Sequence, residues 1–406
     1  MGRRLTGRAA VTAGAVAIAA VAFGAGMAVG GSDGSGGNPD GGNDRAAETA
    51  PPPTAPPPTA PPASLVGGRA MEAVTPEDPE KGTRRGSPLD DLPDGTRALT
   101  DVGQRPDWSP DGTEIVFLDD SPLGDVWTVD VASGETRNLT EDLDHHGFAR
   151  ANYLSNGDLL LCGPTSGPQP NDERPEAGRF TGVMSVVRAP FDQPPVPLGT
   201  PCWEGLAASR TSLRIAWNRS DIDYTDNDLV DRVVNGITEI WTGELHYDDD
   251  RVTLVDVRRV LDRDAFGHMA VFEVQGFRPP AEDELILTAY AYQGGEVLGL
   301  DLETGALHNY SNSSAYEEAE GVDPSGDSVY VERDLAYGGV EPGALDIWRL
   351  ELDDGSWQRV TQFNRYAPFY ASNPTASPDG DRLAFQLSID GDTEGEGDGI
   401  LLMDLG

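Results

Sequence analysis

The stretch RPDWSPDGTEIVFL, Arg105–Leu118, decides the fold. It joins a short segment, a turn and an uninterrupted apolar run. In the Ser-Pro-Asp-Gly turn, proline suits the second position because its ring holds φ at about −65°, and glycine suits the last. EIVFL does not alternate polar with apolar residues, so it reads as a strand buried on both faces. A second copy, SNPTASPDGDRLAFQL, covers Ser372–Leu387. Weaker copies are ANYLSNGDLLLC (Ala151–Cys162), LAASRTSLRIAW (Leu206–Trp217), QGFRPPAEDELILTA (Gln275–Ala289) and AEGVDPSGDSVYVE (Ala319–Glu332).

A third strand follows in each unit: DVWTVDV from Asp125, GVMSVV from Gly182, EIWTGEL from Glu239, EVLGLDL from Glu296, DIWRLEL from Asp346 and GILLMDL from Gly399. Fourth strands read TRNLT, VTLVDV, ALHNYS and WQRVT, and the second unit has the degenerate PPVPLG. Four strands per unit predict an all-β, six-bladed β-propeller of four-stranded antiparallel blades. Gly406 comes directly after the sixth third strand. DGTRALTD, Asp94–Asp101, aligns with GETRNLTED, Gly134–Asp142. A strand near 95–100 is therefore expected to complete the last blade and cover two open sheet edges. Trp127, Trp241 and Trp348 recur at one repeat position, as packing between blades requires.

The rest of the chain frames this head, residues 93–406. Lys and Arg total 29 against 69 Asp and Glu among 406 residues, a formal charge of −40, and Lys81 is the only lysine. Such a surface repels phosphate backbones and argues against nucleic-acid binding. It suits an acidic exported protein, or one adapted to high salt, where screening relieves self-repulsion. Arg3, Arg4 and Arg8 precede an uncharged segment, Ala9–Gly31. Residues 1–30 read as an apolar helix, either a signal anchor or a cleaved signal peptide, with the body outside the cytoplasm. The expected location is a single-pass membrane protein with an extracytoplasmic head, or a secreted one. Residues 31–92, with GGSDGSGGNPDGGND and PPPTAPPPTAPP, read as a disordered Gly/Pro-rich linker. GGSDG within it matches a nucleophile-elbow pattern around Ser32 but lacks the flanking strand and helix that the motif needs.

The S-P-D-G turn, the D-[IV]-W third strand and the closing Leu-Thr together resemble the TolB-like propeller repeat over about Asp94–Gly406. That resemblance implies a six-bladed, WD-like propeller and a binding role at the cell envelope; the expected ligand is a protein, peptide or glycan, and the head is expected to be monomeric. TolB carries a small α/β domain where this chain has the Gly/Pro linker. VFEVQGFRPP and DHHGFARANYLSNGD are similar to parts of propellers related to oligogalacturonate lyases. Those enzymes hold a metal with several His and a Gln in the central well. Gln275 aligns with such a ligand, and this chain has His145, His146, His246, His268 and His308.

Topology places the candidate site. Loops after the second strand are long at Cys162–Thr181, Asn218–Ile237, Asp334–Ala344 and Asp390–Asp398, so binding is expected on their face. Three residues before the turn serine or its equivalent stand Asn152, Leu206, Gln275, Glu320 and Pro374. Five before stand Arg150, Glu204, Glu273 and Glu318. With His145 or His146, these residues line an acidic channel mouth. Three uses stand open. Glu273, Gln275, Glu318 and Glu320 can hold a hard cation, Ca²⁺ or Mn²⁺, or the well can take a cationic ligand. Crowded carboxylates can act as acid and base. The third use is a solvated funnel with Arg150 as partial counter-charge. DGDTEGEGDG, Asp390–Gly399, begins like a calcium loop, but its twelfth position is Leu401, so a solvated acidic loop is expected. Cys162 and Cys202 flank adjacent blades, either as a disulfide or as two buried thiols. The leading expectation is a non-catalytic extracytoplasmic binding or scaffolding propeller. The alternative is a metal-dependent carbohydrate-active enzyme, lyase-like or glycosidase-like.

Overall fold

The computed structural model describes residues 64–68, 74, 76–119, 123–165, 182–220, 238–248, 251–265, 271–290, 294–337, 342–390 and 397–406. Among these the structure is all-β, with a few single-turn 3-10 segments. Backbone pairing gives four sheets of nine, seven, four and four strands, and along them consecutive strands pair antiparallel in groups of about four, termed units. The first holds β3 (Gln104–Trp108), β4 (Glu114–Leu118), β5 (Val126–Asp130) and β6 (Thr136–Asn138). The second holds β7 (Arg150–Tyr153), β8 (Leu159–Gly163), β9 (Gly182–Val187) and the start of β10 (Val196–Ala208). The remainder of β10 opens the third unit, with β11 (Arg214–Ser220), β12 (Thr238–Asp248) and β13 (Arg251–Asp262). The fourth comprises β14 (Val271–Phe277), β15 (Glu284–Tyr290), β16 (Gly295–Asp301) and β17 (Ala306–Asn309). The fifth comprises β18 (Tyr316–Val322), β19 (Ser328–Asp334), β20 (Asp346–Glu351) and β21 (Trp357–Arg359). The sixth comprises β22 (Phe369–Ala376), β23 (Arg382–Ile389), β24 (Ile400–Asp404) and, from the N-terminal side, β2 (Thr96–Ala98).

The first strands form a closed ring: β3 packs on β7, β7 on β10, β10 on β14, β14 on β18, β18 on β22, and β22 on β3. The arrangement is propeller-like. The ring explains the unalternating apolar runs. Each second strand lies between two neighbouring sheets, so both of its faces are covered. The core accordingly sits between units. Trp108, Ile115 and Phe117 of the first unit pack with Ala384, Ile400 and Leu402 of the sixth. Ile286 and Val297 of the fourth meet Val329, Val331 and Leu350 of the fifth. Outer strands such as β6 are short and largely solvent-facing, which limits their use as templates for further pairing.

The turn chemistry is visible atom by atom. Ser109 Oγ donates to Asp111 and accepts the N–H groups of Thr113 (3.1 Å) and Glu114 (2.9 Å). Ser377 repeats this with Asp379 and Arg382. The DGTRALTD stretch pairs as β2 against β24, with Thr96 opposite Met403 and Ala98 opposite Leu401. Trp108 Nε1 donates across the seam to Thr375 O at 3.0 Å, and Arg382 stacks over the Trp108 ring.

Two features differ from the sequence reading. PPVPLG does not form a separate fourth strand; it runs on without a break into the third unit as β10. The lower half of the expected linker is also docked on the head. Residues Ser64–Gly68 form β1, parallel to β17, and Asp78 accepts hydrogen bonds from Arg359 (3.3 Å) and Asn364 (2.8 Å). Lys81 Nζ donates to Gly343 O, and Glu80 pairs with Arg365. The docking combines strand pairing with polar contacts to residues far away in sequence, which composition cannot reveal. Residues 1–63 lie outside the described part, as do most of the four long loops and His268. No described helix is long and apolar enough to cross a membrane.

Cys162 of β8 is bridged to Cys202 of β10, with Cα atoms 6.0 Å apart and a sequence separation of 40. A loop of that length corresponds to about 4 kcal/mol of unfolded-state entropy at 25 °C. Replacing both cysteines with serine is expected to lower stability by about that amount in denaturant unfolding. Deleting residues 94–101 is expected to lower the melting temperature sharply, because the sixth sheet and the seam lose their partner, whereas deleting 31–63 leaves it unchanged. Calorimetry of the two deletions checks this.

Candidate functional site

The channel geometry begins with an irregularity. Register shifts interrupt β3, β10, β14, β18 and β22 at the same height, and β7 alone among the first strands pairs without one. A bulge leaves a backbone N–H without a ladder partner. Arg105 (φ 53°) and Asn373 (φ 49°) sit at two of these bulges in the left-handed region. In four units the preceding unit's second strand supplies the missing acceptor. Val274 N–H donates to Asn218 Oδ1 (2.7 Å) and Ala319 N–H to Thr288 Oγ1 (2.9 Å). Asn373 N–H donates to Glu332 Oε1 (2.5 Å) and Arg105 N–H to Gln386 Oε1 (2.8 Å). All four acceptors are buried and occupy the same position, the fifth residue of β11, β15, β19 and β23. The aligned residues elsewhere are Cys162, which carries the disulfide, and Leu118, which faces the unbulged β7. Asn218 also donates to Phe272 O, so its amide continues the ladder from the side. Gly205 is required beside it, since a Cβ there would lie 2.8 Å from Glu273 Cγ.

The bulges turn side chains into the channel. Arg150 crosses it. Its Nε donates to Glu204 O (3.0 Å), and its two terminal nitrogens donate to Asn373 Oδ1 (3.3 Å) and Glu273 Oε1 (2.7 Å). Burial works against the Arg150 charge, but Glu273, Glu320 and Glu204 outweigh it and raise its pKa. Arg105 donates to Ala149 O (2.9 Å) and pairs with Glu204 (3.3 Å). The hydroxyls of Tyr290 and Tyr316 both reach Glu318, and Tyr290 also lies 2.7 Å from Glu273 Oε2, so its single proton goes to one of the two carboxyls and a protonated Glu318 completes the other contact as donor. Burial first, then the adjacent carboxylates, lifts both phenols well above their usual value and keeps them as donors. Burial, then the charges of Glu332 and Glu273, raises Glu318; burial, then Glu318, raises Glu320. Burial pushes Glu332 up to about 7.

Below this layer a cavity of about 380 Å³ runs to the face that carries the tight turns. Asn152, Leu206, Gln275, Glu320 and Pro374 all line it, with Arg105 and Arg150 among its other wall residues. Its mouth is formed by prolines of the turns, Pro110, Pro279, Pro324 and Pro378. The described cavity therefore opens away from the long-loop face on which binding was expected. Asn152 Oδ1 and Gln275 Nε2 are buried without a hydrogen-bond partner.

The sequence-derived set separates into three groups. Gln275, Glu320 and Arg150 meet at the cavity. Glu204, Glu273 and Glu318 lie in the layer of arginine and tyrosine contacts. His145 and His146 do not line the cavity. His145 stacks on Phe148, accepts Gly147 N–H at 3.0 Å and lies 3.7 Å from Asp125. The proposed Ca²⁺ or Mn²⁺ ligands Glu273, Gln275, Glu318 and Glu320 do not fit a metal: among the described residues no three His, Cys, Asp or Glu side chains converge on one point. Glu273 already faces Arg150, and Glu318 faces two phenols. Sequence reading missed Arg105, Tyr290, Tyr316, Glu332, Asn373 and Gln386. A usable signal was present for two of them: Glu332 and Gln386, like Asn218 and Thr288, are the first polar residue after an apolar run of three. Trp127 packs at the seam between the sixth and first units, as expected of its repeat position, and Trp348 lies between Arg333 and Arg359.

Changing Asn218 to Ala strands two buried backbone groups, Val274 N–H and Phe272 C=O, and is expected to cost about 3 kcal/mol in urea unfolding. Glu332 and Glu296, each pushed up to about 7 by burial, bind more protons folded than unfolded between their usual 4.5 and 7. Their contribution to stability is therefore largest below 4.5 and is lost as pH rises through about 7. The melting temperature should rise between pH 8.5 and pH 5.5, and the Glu332→Gln, Glu296→Gln double variant should flatten that rise.

No protein-family model matches the chain, and no curated protein matches it. Solved structures to which it is similar include a gluconolactonase from Xanthomonas campestris, at 14% identity and TM-score 0.47 over 77% of this chain and 89% of that one. A second is an oligogalacturonate lyase in complex with manganese, at 12% identity and TM-score 0.46 over 77% and 93%. A third is a putative TolB from Agrobacterium tumefaciens, at 13% identity and TM-score 0.33 over 76% and 80%.

Proposed function

We propose that the head is a six-bladed β-propeller, closed by its N-terminal strand, that works as a non-catalytic binding module. In this reading it stands outside the cytoplasm at the cell envelope, anchored or secreted through residues 1–30. Its ligand is a segment of an envelope protein, a peptide or a glycan received in the turn-face cavity. One observation carries the reading: two wall side chains of that cavity, Asn152 and Gln275, keep buried polar atoms that the protein itself does not satisfy. A buried polar atom without a partner costs about 1–3 kcal/mol, so a ligand that supplies the partner recovers that energy on binding. The carboxylates needed for acid–base or metal chemistry are instead engaged by Arg105, Arg150, Tyr290 and Tyr316, which favours a rigid binding layer over a reactive one.

Filling the mouth tests this. Ala208 is half-buried and lines the cavity. The Ala208→Trp variant is expected to keep its melting temperature and to lose capture of envelope peptides and glycans by at least about tenfold, the equivalent of one lost hydrogen bond. Capture that persists in a folded Ala208→Trp protein would place binding elsewhere.

A further inference from the structure

We propose that the inner end of the turn-face cavity binds an organic cation: an ammonium group on a short apolar stem, with Glu320 as counter-ion and the amides of Asn152 and Gln275 as hydrogen-bond partners. The inference rests on the cavity being a ligand site and names the ligand's chemistry.

The charges around the channel are unequal. Two arginines, Arg105 and Arg150, face Glu204, Glu273, Glu318, Glu320 and Glu332, while the third arginine of the cavity wall, Arg210, is paired with Asp107. Arg105 pairs with Glu204, and Arg150 with Glu273. Glu318 is hydrogen-bonded to two phenolic hydroxyls, and Glu332 accepts the Asn373 N–H. Glu320 lines the cavity, and among the described residues no donor is bonded to it. Its charge is opposed by burial, by Glu318 and by Glu332 and Glu273, and the Arg150 that favours it is already held by Glu273. A positively charged group in the cavity meets this deficit directly.

Other ligand classes fit less well. An anion entering beside Glu320 meets the surplus carboxyls. A neutral polyol bonds the amides but gains no charge interaction from Glu320, which keeps its proton. A divalent metal needs several converging oxygens, and the described side chains offer no such group. An ammonium carries three donors. Asn152 Oδ1 is an unsatisfied acceptor, and the Gln275 amide, which has no partner to hold it, presents either its oxygen or its nitrogen after a half-turn. Leu206, Phe277 and Pro374 give the stem an apolar wall, and about 380 Å³ is far more than the charged group alone occupies.

Binding also has a proton signature. Glu318, Glu320 and Glu332 hold protons above the usual carboxylate range. A cation that takes a proton's place releases it to solvent near neutral pH.

The full chain is titrated calorimetrically with three probes of one stem length: n-pentylammonium, 1-pentanol and pentanoate. Repeating the titration in two buffers of different ionisation enthalpy counts protons. The expected result is one site for pentylammonium, at least about tenfold tighter than pentanol, no binding of pentanoate, and net proton release at pH 7. Glu320→Gln should weaken the amine by about tenfold and remove most of the proton release. Equal or better binding of pentanol or pentanoate overturns the inference, as does amine affinity that Glu320→Gln leaves unchanged. If Glu320→Gln fails to fold, wild-type probe order and proton release decide the matter. If no probe binds, yet Ala208→Trp still abolishes envelope capture, the cation inference falls and the cavity remains a binding site. If capture ignores Ala208→Trp, the underlying reading falls.

Discussion

The ring depends on one recurring contact: a polar side chain at the fifth position of a second strand accepts the N–H that a bulge frees in the next unit's first strand. Asn218, Thr288, Glu332 and Gln386 each do this. A bulge inside a ring of strands would otherwise leave a buried donor unsatisfied, at about 1–3 kcal/mol each. The contact settles that cost and ties each unit to its neighbour, so the distortion and the joint between units are one device. Where the position is Leu118, the facing strand β7 has no bulge. Where the aligned residue is Cys162, a disulfide ties it to Cys202, which pairs with Gly182 just before β10 passes into the third unit.

The bulges in turn make the channel. They put Arg105 and Asn373 into left-handed backbone and aim their side chains inward. Arg150 then reaches across to Glu204, Asn373 and Glu273, tying its own unit to the third, fourth and sixth. Hydrophobic contacts between sheets are strong but non-directional. The buried charge layer is directional, and it sets the floor of the cavity. Its excess of carboxyls over arginines is tolerated because burial raises the pKa values of Glu318, Glu320 and Glu332, which lets those groups stay protonated where an ordinary carboxyl would ionise.

Much of the architecture was legible from residue order. The SPDG turns, the apolar runs and the spare strand at Asp94–Asp101 are local signals, and a repeat shows them several times over. The ring of positions three before the turn was also legible, because strand geometry carries Asn152, Gln275 and Glu320 to the same depth in each unit. Partner identity was not. The acidic residues that read as one well divide into paired, hydrogen-bonded and unpartnered groups. That division depends on Arg105 and on Tyr290 and Tyr316, which no spacing rule links to Glu204 or Glu318. The docking of Asp78 and Lys81 on Arg359 and Gly343 was hidden for the same reason.

By itself, the sequence determined the repeat, the strand order within each unit and the need for a closing strand, because periodicity and turn chemistry act over a few residues. Only the tertiary structure decided which end of the channel holds the described cavity, which carboxyls keep a protein partner, and that among the described residues no donor is bonded to Glu320. Those outcomes depend on distances between residues as far apart in the chain as Arg150 and Asn373, and such distances exist only once the ring has closed.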